Sequence, residues 1–343
     1  MLKIQATRRQ FLAGLAGLGT SAALSSSSAL GQAQASPRRI DFHHHYCSPA
    51  YLKLLTEQNA IKTVMGYDTF KGYSISKALE LMDQGGVATG MLSTTTPGVW
   101  FGNIDETRRA ARELNEFGAK MGIDHKGRFG LFAVLPLPDV DASLREIEYA
   151  YDTLKADGVS FVSSYHDRWL GDKSFAPMWE ELNRRNAIVY THATAPNCCM
   201  WNFQPGVGPT TVELSSDLAR TIVSIIQSGT AEKTPNVRYI WSHGGGSIWA
   251  QRYIGADIAQ PVKPNSKIYH LRRFYYDTAA AADPLHIGIL KLAIPTTQIL
   301  FGTDLPWGVP ANIAEGLKNS GLTAAELRAI DRENGVKLVP RFA

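Results

Sequence analysis

The sequence predicts a single (β/α)8 (TIM) barrel, and three observations support this α/β fold class. Eight short runs rich in Val, Ile, Phe and Tyr recur along the chain, and segments with helical spacing of apolar residues follow them. No repeat, charge block or low-complexity linker divides the chain after residue 35. The 343 residues are 44% hydrophobic and 19% charged, which is enough for the core of one large domain at 36–343.

Residues 1–35 differ in kind from the remainder. Arg8 and Arg9 precede an apolar stretch, Phe11 to Leu24, that is shorter than the roughly 20 residues needed to span a bilayer. Ala33-Gln34-Ala35 then matches an A-x-A cleavage site. We therefore expect a removed signal of the twin-arginine type, a periplasmic or otherwise exported protein, and no stable membrane insertion.

The charge balance excludes one class of partner. The formal net charge of the whole chain is +4, and the signal holds three basic residues and no acidic one, which leaves +1 for the mature protein. A nearly neutral chain offers no electrostatic case for nucleic acid.

Three cysteines, Cys47, Cys198 and Cys199, are too few for a disulfide framework and match no zinc-ribbon spacing. A bond from Cys47 to one of the other two remains open, with buried free thiols as the alternative.

The predicted strands end at points that the barrel would bring together. They are 39–45, 87–93, 128–136, 158–164, 187–192, 237–243, 274–279 and 298–304. Helical periodicity is clear in the segment after the third strand, where Asp141 is expected to act as the N-cap. A doubly wound open sheet is the second choice, but the glycine-rich phosphate turn that it needs after an early strand is missing.

Three consecutive histidines end the first predicted strand, in IDFHHHY. Because side chains alternate along a strand, Asp41, His43 and His45 are expected on one face and His44 on the other. Two imidazoles two residues apart can converge on one metal ion. The alternative is a polar strand end whose histidines bond to neighbouring loops.

Distant strand ends favour the metal site. His192 ends the fifth strand, His243 the sixth and Asp304 the eighth, and carboxyl ends of barrel strands meet at one rim. A loop hydrogen bond at His192 and a turn at Asp304 are the alternatives for each residue alone. Taken together, His43, His45, His192 and Asp304 offer the donors that suit Zn²⁺, Mn²⁺ or Fe²⁺.

His243 remains beside this predicted site without being needed as a ligand, which suits a general acid or base. The HGGGS segment that it opens has two explanations. The glycines either let backbone N–H groups approach a substrate oxygen or form a tight turn.

These residues resemble the amidohydrolase superfamily. The His-x-His of strand one, His192, His243 and the GTDLP around Asp304 carry the resemblance. More narrowly, SHGGGS, GTD-P and REN-x-x-x-L (Arg332 to Leu338) resemble the branch typified by aminocarboxymuconate-semialdehyde decarboxylase, over residues 40–340. RFGLFAVLPLPD and RRFYYDTA are most similar to a subgroup related to fungal 6-methylsalicylate decarboxylases.

The resemblance implies a barrel of the metal-dependent hydrolase type with one metal ion, and loss of CO2 from a small aromatic or unsaturated carboxylic acid. Some relatives instead hydrolyse lactones or amides. The fourth strand ends without a lysine that could become a carbamylated bridging ligand, which argues against a binuclear hydrolase. Gly246 stands where some dihydroxybenzoate decarboxylase relatives carry a glutamate, so the HGGG subgroup matches better.

In the implied mechanism the metal, with Zn²⁺ as first choice, binds the substrate carboxylate. His243 donates the proton, and Asp304 is the second catalytic group. Aromatic side chains after three strands are expected to wall the substrate pocket, and an arginine to pair with a carboxylate, with core or rim packing as the alternative for each. These residues are Trp100, Phe101, Trp201 and Trp307, and Arg168 or Arg252.

Two rival functions use the same residues. One is a hydrolase of a lactone or amide with His243 as the base. The other is a periplasmic metal-binding or ligand-binding protein on an inactive barrel. Whether the chain forms a homodimer or a higher homo-oligomer stays open.

Overall fold

Strands built largely from β-branched, aromatic and small residues form one parallel sheet in the computed structural model, which describes residues 38–58, 67–165, 168–194, 196 and 212–343. Within these ranges eight strands pair in chain order, each parallel to the next. They are β1 (Arg39–His45), β2 (Val87–Ser93), β3 (Phe129–Val134), β4 (Gly158–Val162), β5 (Ile188–His192), β6 (Arg238–Trp241), β7 (Tyr275–Asp277) and β8 (Ile299–Leu300). A separate antiparallel hairpin joins Ser164–Tyr165 to Arg168–Trp169.

The sheet closes on itself where the chain after β8 runs beside β1. The Phe42 N–H donates to the Phe301 carbonyl at 2.9 Å, and the His45 N–H donates to the Leu305 carbonyl at 2.8 Å. The predicted (β/α)8 barrel is therefore confirmed, and the open doubly wound sheet is wrong.

Helices surround the barrel, and several of them begin at side-chain caps. Asp139 caps the helix after β3 by accepting the Ala142 N–H at 3.0 Å, so the predicted cap at Asp141 is wrong. Asp141 lies instead in the first helical turn, where a carboxylate favours the helix dipole. The α-helices are α1 (Pro49–Glu57), α2 (Tyr67–Lys71), α3 (Ile75–Gln84), α4 (Ile104–Asp124), α5 (Val140–Asp152), α6 (Ala176–Arg184), α7 (Glu213–Gln227), α8 (Thr230–Lys233), α9 (Lys267–Arg273), α10 (Pro284–Ala293), α11 (Pro310–Lys318), α12 (Ala324–Arg328) and α13 (Asn334–Leu338).

Shorter helical turns complete the connections. The 3₁₀ turns are Lys173–Phe175, His243–Ala250, Gly255–Ala259, Thr296–Gln298 and Pro340–Phe342, and a π-helical turn spans Ala329–Glu333.

Two apolar cores flank the strands. The larger lies between the strands and the helices, and the smaller fills the barrel itself. Phe42 and Phe132 pack there with ring centroids 6.2 Å apart, and Phe132 stacks on Tyr190 at 5.8 Å. Phe342, near the end of the chain, joins this inner core. The filled interior leaves the carboxyl rim as the place for a site.

An irregularity in β1 changes which side chains share a face. The pairing of β1 with β2 shifts register between Asp41 and His44. Asp41 consequently meets His44, whose Nδ1 lies 3.3 Å from the Asp41 carboxylate, instead of sharing a face with His43 and His45. The expectation for Asp41 was wrong because a strict two-residue alternation ignores such shifts.

Several predictions fall on residues that the structure does not describe. The expected signal at 1–35, Cys198, Cys199 and Trp201 all lie outside the described ranges. Cys47 is a buried free thiol. Among the described residues, no helix has the length and apolar character that crossing a bilayer requires.

Candidate metal and active site

Four predicted ligands meet at the carboxyl end of the barrel. His43 and His45 lie on β1, His192 ends β5, and Asp304 follows β8. One ligand atom from each of the four lies within 4.8 Å of the other three. The three histidines are buried and the Asp304 side chain is 23% exposed, so the site opens towards solvent on the Asp304 side.

The donor atoms surround a common point. The Nε2 atoms of His43 and His45 are 3.0 Å apart, and Asp304 Oδ1 lies 3.2 and 3.1 Å from them. The His192 ring centroid is 5.1 Å from that of His43 and 4.7 Å from that of His45. Three imidazoles and one carboxylate form a donor set for a first-row divalent ion.

The second nitrogen of each imidazole already faces an oxygen. The Nδ1 atom of His43 is 2.9 Å from Asp277 Oδ2, that of His45 is 3.2 Å from the Ser93 carbonyl, and that of His192 is 2.6 Å from the Ala193 carbonyl. These acceptors favour the tautomer with the proton on Nδ1, which turns the Nε2 lone pairs inwards. In the metal-free protein the extra proton of His43 lies between its Nε2 and that of His45, 3.0 Å away. An ion that replaces this proton faces three imidazole nitrogens and one carboxylate oxygen, so the residues fit a metal ion.

The ligand histidines of the metal-free site have pKa values shifted in different directions. Burial lowers the pKa of His43, but the carboxylates of Asp277 and Asp304 outweigh burial and raise it to about 10. Burial lowers the pKa of His45 and lowers that of His192 well below 6.5. Although burial raises the pKa of Asp304, His43 and His45 hold it well below its usual value. At neutral pH the site thus carries one extra proton, on His43.

A tight turn positions Asp304. Its φ is +63°, in the left-handed region, and its N–H donates to the His43 carbonyl at 2.8 Å. Its own carbonyl accepts the N–H groups of Trp307 and Gly308 at 2.7 and 2.8 Å. A Cβ on Gly308 would lie 1.8 Å from the Thr303 carbonyl oxygen, so only glycine fits here.

His243 lies directly beside the ligand cluster. Its ring centroid is 4.7 Å from that of His43 and 5.2 Å from that of His192. Its ring Nδ1 faces the Ala279 carbonyl at 3.3 Å, and its backbone N–H donates to Asp277 Oδ1 at 3.0 Å. Burial and the nearby His43 lower the pKa of His243, so its imidazole is neutral near pH 7.

The glycines after His243 form a tight turn. The φ angles of Gly244, Gly245 and Gly246 are +62°, +86° and +60°. A Cβ on Gly246 would lie 2.5 Å from the Ser215 carbonyl oxygen of α7. Of the two explanations for this segment, the turn accounts for all three glycines. It also leaves no space for a glutamate at position 246.

The comparisons with known proteins identify the family. A family model described as amidohydrolase matches residues 40–341 of this chain. The chain belongs to this amidohydrolase family. The resemblance inferred from the strand-end residues is therefore confirmed.

Two curated relatives of this amidohydrolase are decarboxylases. Decarboxylase yanB of Aspergillus niger is 32% identical over 331 residues, covering 89% of this chain and 88% of that protein. The 6-methylsalicylic acid decarboxylase of Penicillium expansum is 31% identical over 329 residues, covering 89% and 97%. Among solved structures, a dihydroxybenzoic acid decarboxylase of Polaromonas with bound manganese and the inhibitor 2-nitroresorcinol shares the fold, with a TM-score of 0.75, 21% identity and coverage of 88% and 96%.

Trp307, one of the predicted pocket residues, lies against the cluster in this amidohydrolase. Its ring centroid is 5.7 Å from that of His45 and 4.6 Å from that of Phe70. Trp100 and Phe101 are half-buried on the loop after β2. Trp307 is thus held in place by ring contacts on two sides.

The two arginines predicted to bind a carboxylate lie in the hairpin and in a turn. Arg168 belongs to the hairpin, where its guanidinium is 3.3 Å from Ser174 Oγ and 5.5 Å from the Phe175 ring centroid. Arg252 is exposed in the turn after the 3₁₀ segment His243–Ala250. Among the described residues, neither arginine forms a hydrogen bond or an ion pair with the four clustered ligands.

Asp277 is a site residue that the sequence did not reveal. It is buried and contacts both His43 and His243. The predicted seventh strand ran to Ala279, which put Asp277 inside the strand, whereas β7 ends at Asp277. Recognising Asp277 as the strand end would have added it to the residues at the rim.

Proposed function

We propose that this protein is a metal-dependent decarboxylase that releases CO2 from a small aromatic carboxylic acid of the hydroxybenzoate type. The main support is an ion-binding cluster with a further imidazole, that of His243, 4.7 Å from a ligand ring. A neutral imidazole beside an ion site can transfer a proton to the reacting carbon. The decarboxylase relatives at 31–32% identity agree with this chemistry.

The metal ion would be held by the four clustered residues, His43, His45, His192 and Asp304. When bound, the ion supplies Lewis-acid polarisation of the substrate carboxylate and of a neighbouring hydroxyl. We propose Zn²⁺ first, because three imidazoles and one carboxylate match its preferred donors. Mn²⁺ is the second choice, because the Polaromonas relative holds manganese.

His243 carries the proton in this proposal. With its Nδ1–H directed to the Ala279 carbonyl, Nε2 is the atom that accepts a proton from solvent. Nε2 then donates that proton to the ring carbon bearing the carboxylate. The bond between this carbon and the carboxylate breaks, CO2 leaves, and the bonding electrons restore the aromatic ring, so one proton is consumed for each CO2 released.

The substrate we propose first is a 6-methylsalicylate-like acid, followed by a dihydroxybenzoate. Trp307 against His45 offers an aromatic wall beside the cluster, and Trp100 and Trp201 extend that wall in the proposal. Arg168 and Arg252 remain proposed partners of a second anionic group. Replacing each by methionine and comparing KM with kcat will test them.

The deciding experiment is a substrate screen with mass-spectrometric detection of CO2. The protein is reconstituted separately with Zn²⁺ and Mn²⁺, then incubated with 6-methylsalicylate, 2,6-dihydroxybenzoate, lactones and amides. We expect CO2 from an aromatic acid, and loss of that CO2 in His243→Asn at unchanged metal content. Hydrolysis of a lactone or amide without CO2 would instead establish the hydrolase. Metal binding without turnover of any compound would favour a binding protein.

We also propose that the protein is exported with its first 35 residues removed. Arg8, Arg9 and the Ala33-Gln34-Ala35 sequence support this proposal. N-terminal sequencing of protein from the periplasmic fraction should begin at Ser36. Replacing both arginines by lysine should leave the full-length chain in the cytoplasm.

A further inference from the structure

We propose that Asp277 is a positioning residue that holds the metal ligand His43 and the proton-transfer residue His243 in register through one carboxylate. The inference rests on the proposed metal-dependent function. It identifies a residue that contacts both a proposed metal ligand and the proposed proton donor, although Asp277 itself is neither.

The two oxygens of Asp277 face different partners. Oδ2 lies 2.9 Å from His43 Nδ1. Oδ1 accepts the N–H groups of His243 and Ala279, both at 3.0 Å. The carboxylate therefore bridges a ligand side chain and the backbone of the residue beside it, and it is fully buried.

Asp277 gives His43 a different kind of hydrogen-bond acceptor from those of the other ligand histidines. His45 and His192 each direct Nδ1 to a main-chain carbonyl, whereas His43 directs it to a carboxylate. A carboxylate acceptor makes an imidazole more basic and a stronger metal ligand than a carbonyl does. Loss of this contact should therefore weaken metal binding through His43.

The bond to the His243 backbone serves a second purpose. His243 has a φ of +50°, a left-handed conformation that residues other than glycine adopt rarely. Its N–H needs an acceptor in this turn, and Asp277 Oδ1 provides it. Asp277 thus sets the direction in which the His243 ring leaves the backbone.

The contact between Asp277 and His43 leaves no space for a side chain at position 302. A Cβ on Gly302 would lie 2.7 Å from Asp277 Cβ and 2.9 Å from His43 Cβ. The glycine of the GTD sequence therefore lets these two side chains meet. Thr278 Oγ1 fixes this stretch by bonding both the N–H and the carbonyl of Gly302, at 3.1 and 3.2 Å.

Two substitutions separate the two contacts. Asp277→Asn preserves an oxygen for the backbone N–H groups but presents an amide N–H₂ to His43. We expect the metal dissociation constant to rise about 10- to 100-fold, measured by competition with a chromogenic chelator without substrate. At saturating metal, kcat should stay within about threefold of the wild type, whereas Asp277→Ala, which also frees the His243 backbone, should lower kcat about 10-fold or more.

Tyr190→Phe is the matched control. The Tyr190 hydroxyl lies 3.4 Å from the same Asp277 Oδ2 and is equally buried, but it does not bond to the His43 ring through its hydroxyl. Its removal should change metal affinity less than threefold. Circular dichroism and thermal unfolding of the metal-free variants check that each one folds.

The wild-type protein gives a test that needs no variant. NMR of the metal-bound protein with ¹⁵N-labelled histidine should show His43 protonated at Nδ1, with a strongly downfield proton. An Nε2-protonated His43, or an Asp277→Asn affinity within threefold of the wild type, would overturn the proposal, as would an equal loss in Tyr190→Phe. Absence of CO2 release from every aromatic acid would refute the decarboxylase and leave this metal-binding result standing.

Discussion

The Nε2 atoms of His43 and His45 lie 3.0 Å apart, and each is also within 3.2 Å of Asp304 Oδ1. Neighbouring groups hold the rings in this orientation from behind, since the Nδ1 atoms face Asp277 and the Ser93 carbonyl. A site in which ligand nitrogens converge before the ion arrives is preorganised for binding. Removing one of these nitrogens should therefore cost far more than removing their neighbour His44.

His45→Ala is expected to lose bound metal and to lower kcat/KM by about 1,000-fold or more, or about 4 kcal/mol of transition-state stabilisation. One of the two Nε2 donors on β1 is then missing, and Asp304 loses one of its two imidazole partners. Metal content by plasma mass spectrometry and steady-state kinetics measure the two effects. A variant that retains a full equivalent of metal would contradict the ligand assignment.

His44→Asn is the matched change at the neighbouring residue. The His44 ring packs on Phe129 at 5.8 Å and bonds to Asp41 away from the cluster, so metal content and kcat should stay at the wild-type level. Since the side chain is fully buried, we expect a loss of about 1–3 kcal/mol in the free energy of unfolding. Denaturant titration of the metal-loaded protein measures this loss.

His243→Asn should keep the metal and lose turnover. Asparagine tolerates the φ of +50° and keeps the backbone N–H that donates to Asp277, so the turn should survive. Without an imidazole to carry the proton, kcat should fall about 100- to 10,000-fold. Single-turnover kinetics on the fully loaded variant measure the change. Wild-type kcat would show that another group transfers the proton.

The ligand set could be predicted because a parallel barrel brings strand ends to one rim whatever lies between them. His192 ends β5 as predicted, whereas Asp304 lies four residues beyond the end of β8 and still reaches the rim because the chain there continues beside β1. The face of Asp41 could not be predicted, since the register shift in β1 depends on pairing with β2. Asp277 was missed because β7 ends two residues earlier than its apolar pattern suggested. The contacts between elements, and not the pattern within each, decided both cases.

Metal binding should become tighter as pH rises. In the metal-free protein the pKa of His43 is about 10, while burial lowers that of His45 and His192, so only His43 must release a proton when it becomes a ligand. One proton should therefore leave per ion bound between about pH 7 and 9, and the dissociation constant should fall about tenfold per pH unit. Calorimetry in buffers with different ionisation enthalpies counts the protons.

The stability of the metal-free protein should change in the opposite direction. A folded-state pKa of about 10 against an ordinary value of 6.5 stabilises the fold fully below pH 6.5. That contribution declines as pH rises from 6.5 towards 10. The loaded protein lacks this decline from His43, because the ion has replaced the proton. Zero protons released on binding would refute the charge state assigned to His43.

Gly302→Ala should damage the site without touching a ligand. The added Cβ would lie 2.7 Å from Asp277 Cβ and 2.9 Å from His43 Cβ, in a buried region with no flexible side-chain end to give way. We expect about 1–3 kcal/mol of destabilisation and a metal dissociation constant at least 10-fold higher, because the two residues must separate. Gly288→Ala is the control, since nothing lies within 4 Å of its added Cβ on α10, and it should stabilise the protein by about 0.5–1 kcal/mol. Chelator competition measures the metal affinity of both variants, and thermal unfolding measures their stability. Wild-type metal affinity in Gly302→Ala would mean that His43 holds the ion without its contact to Asp277.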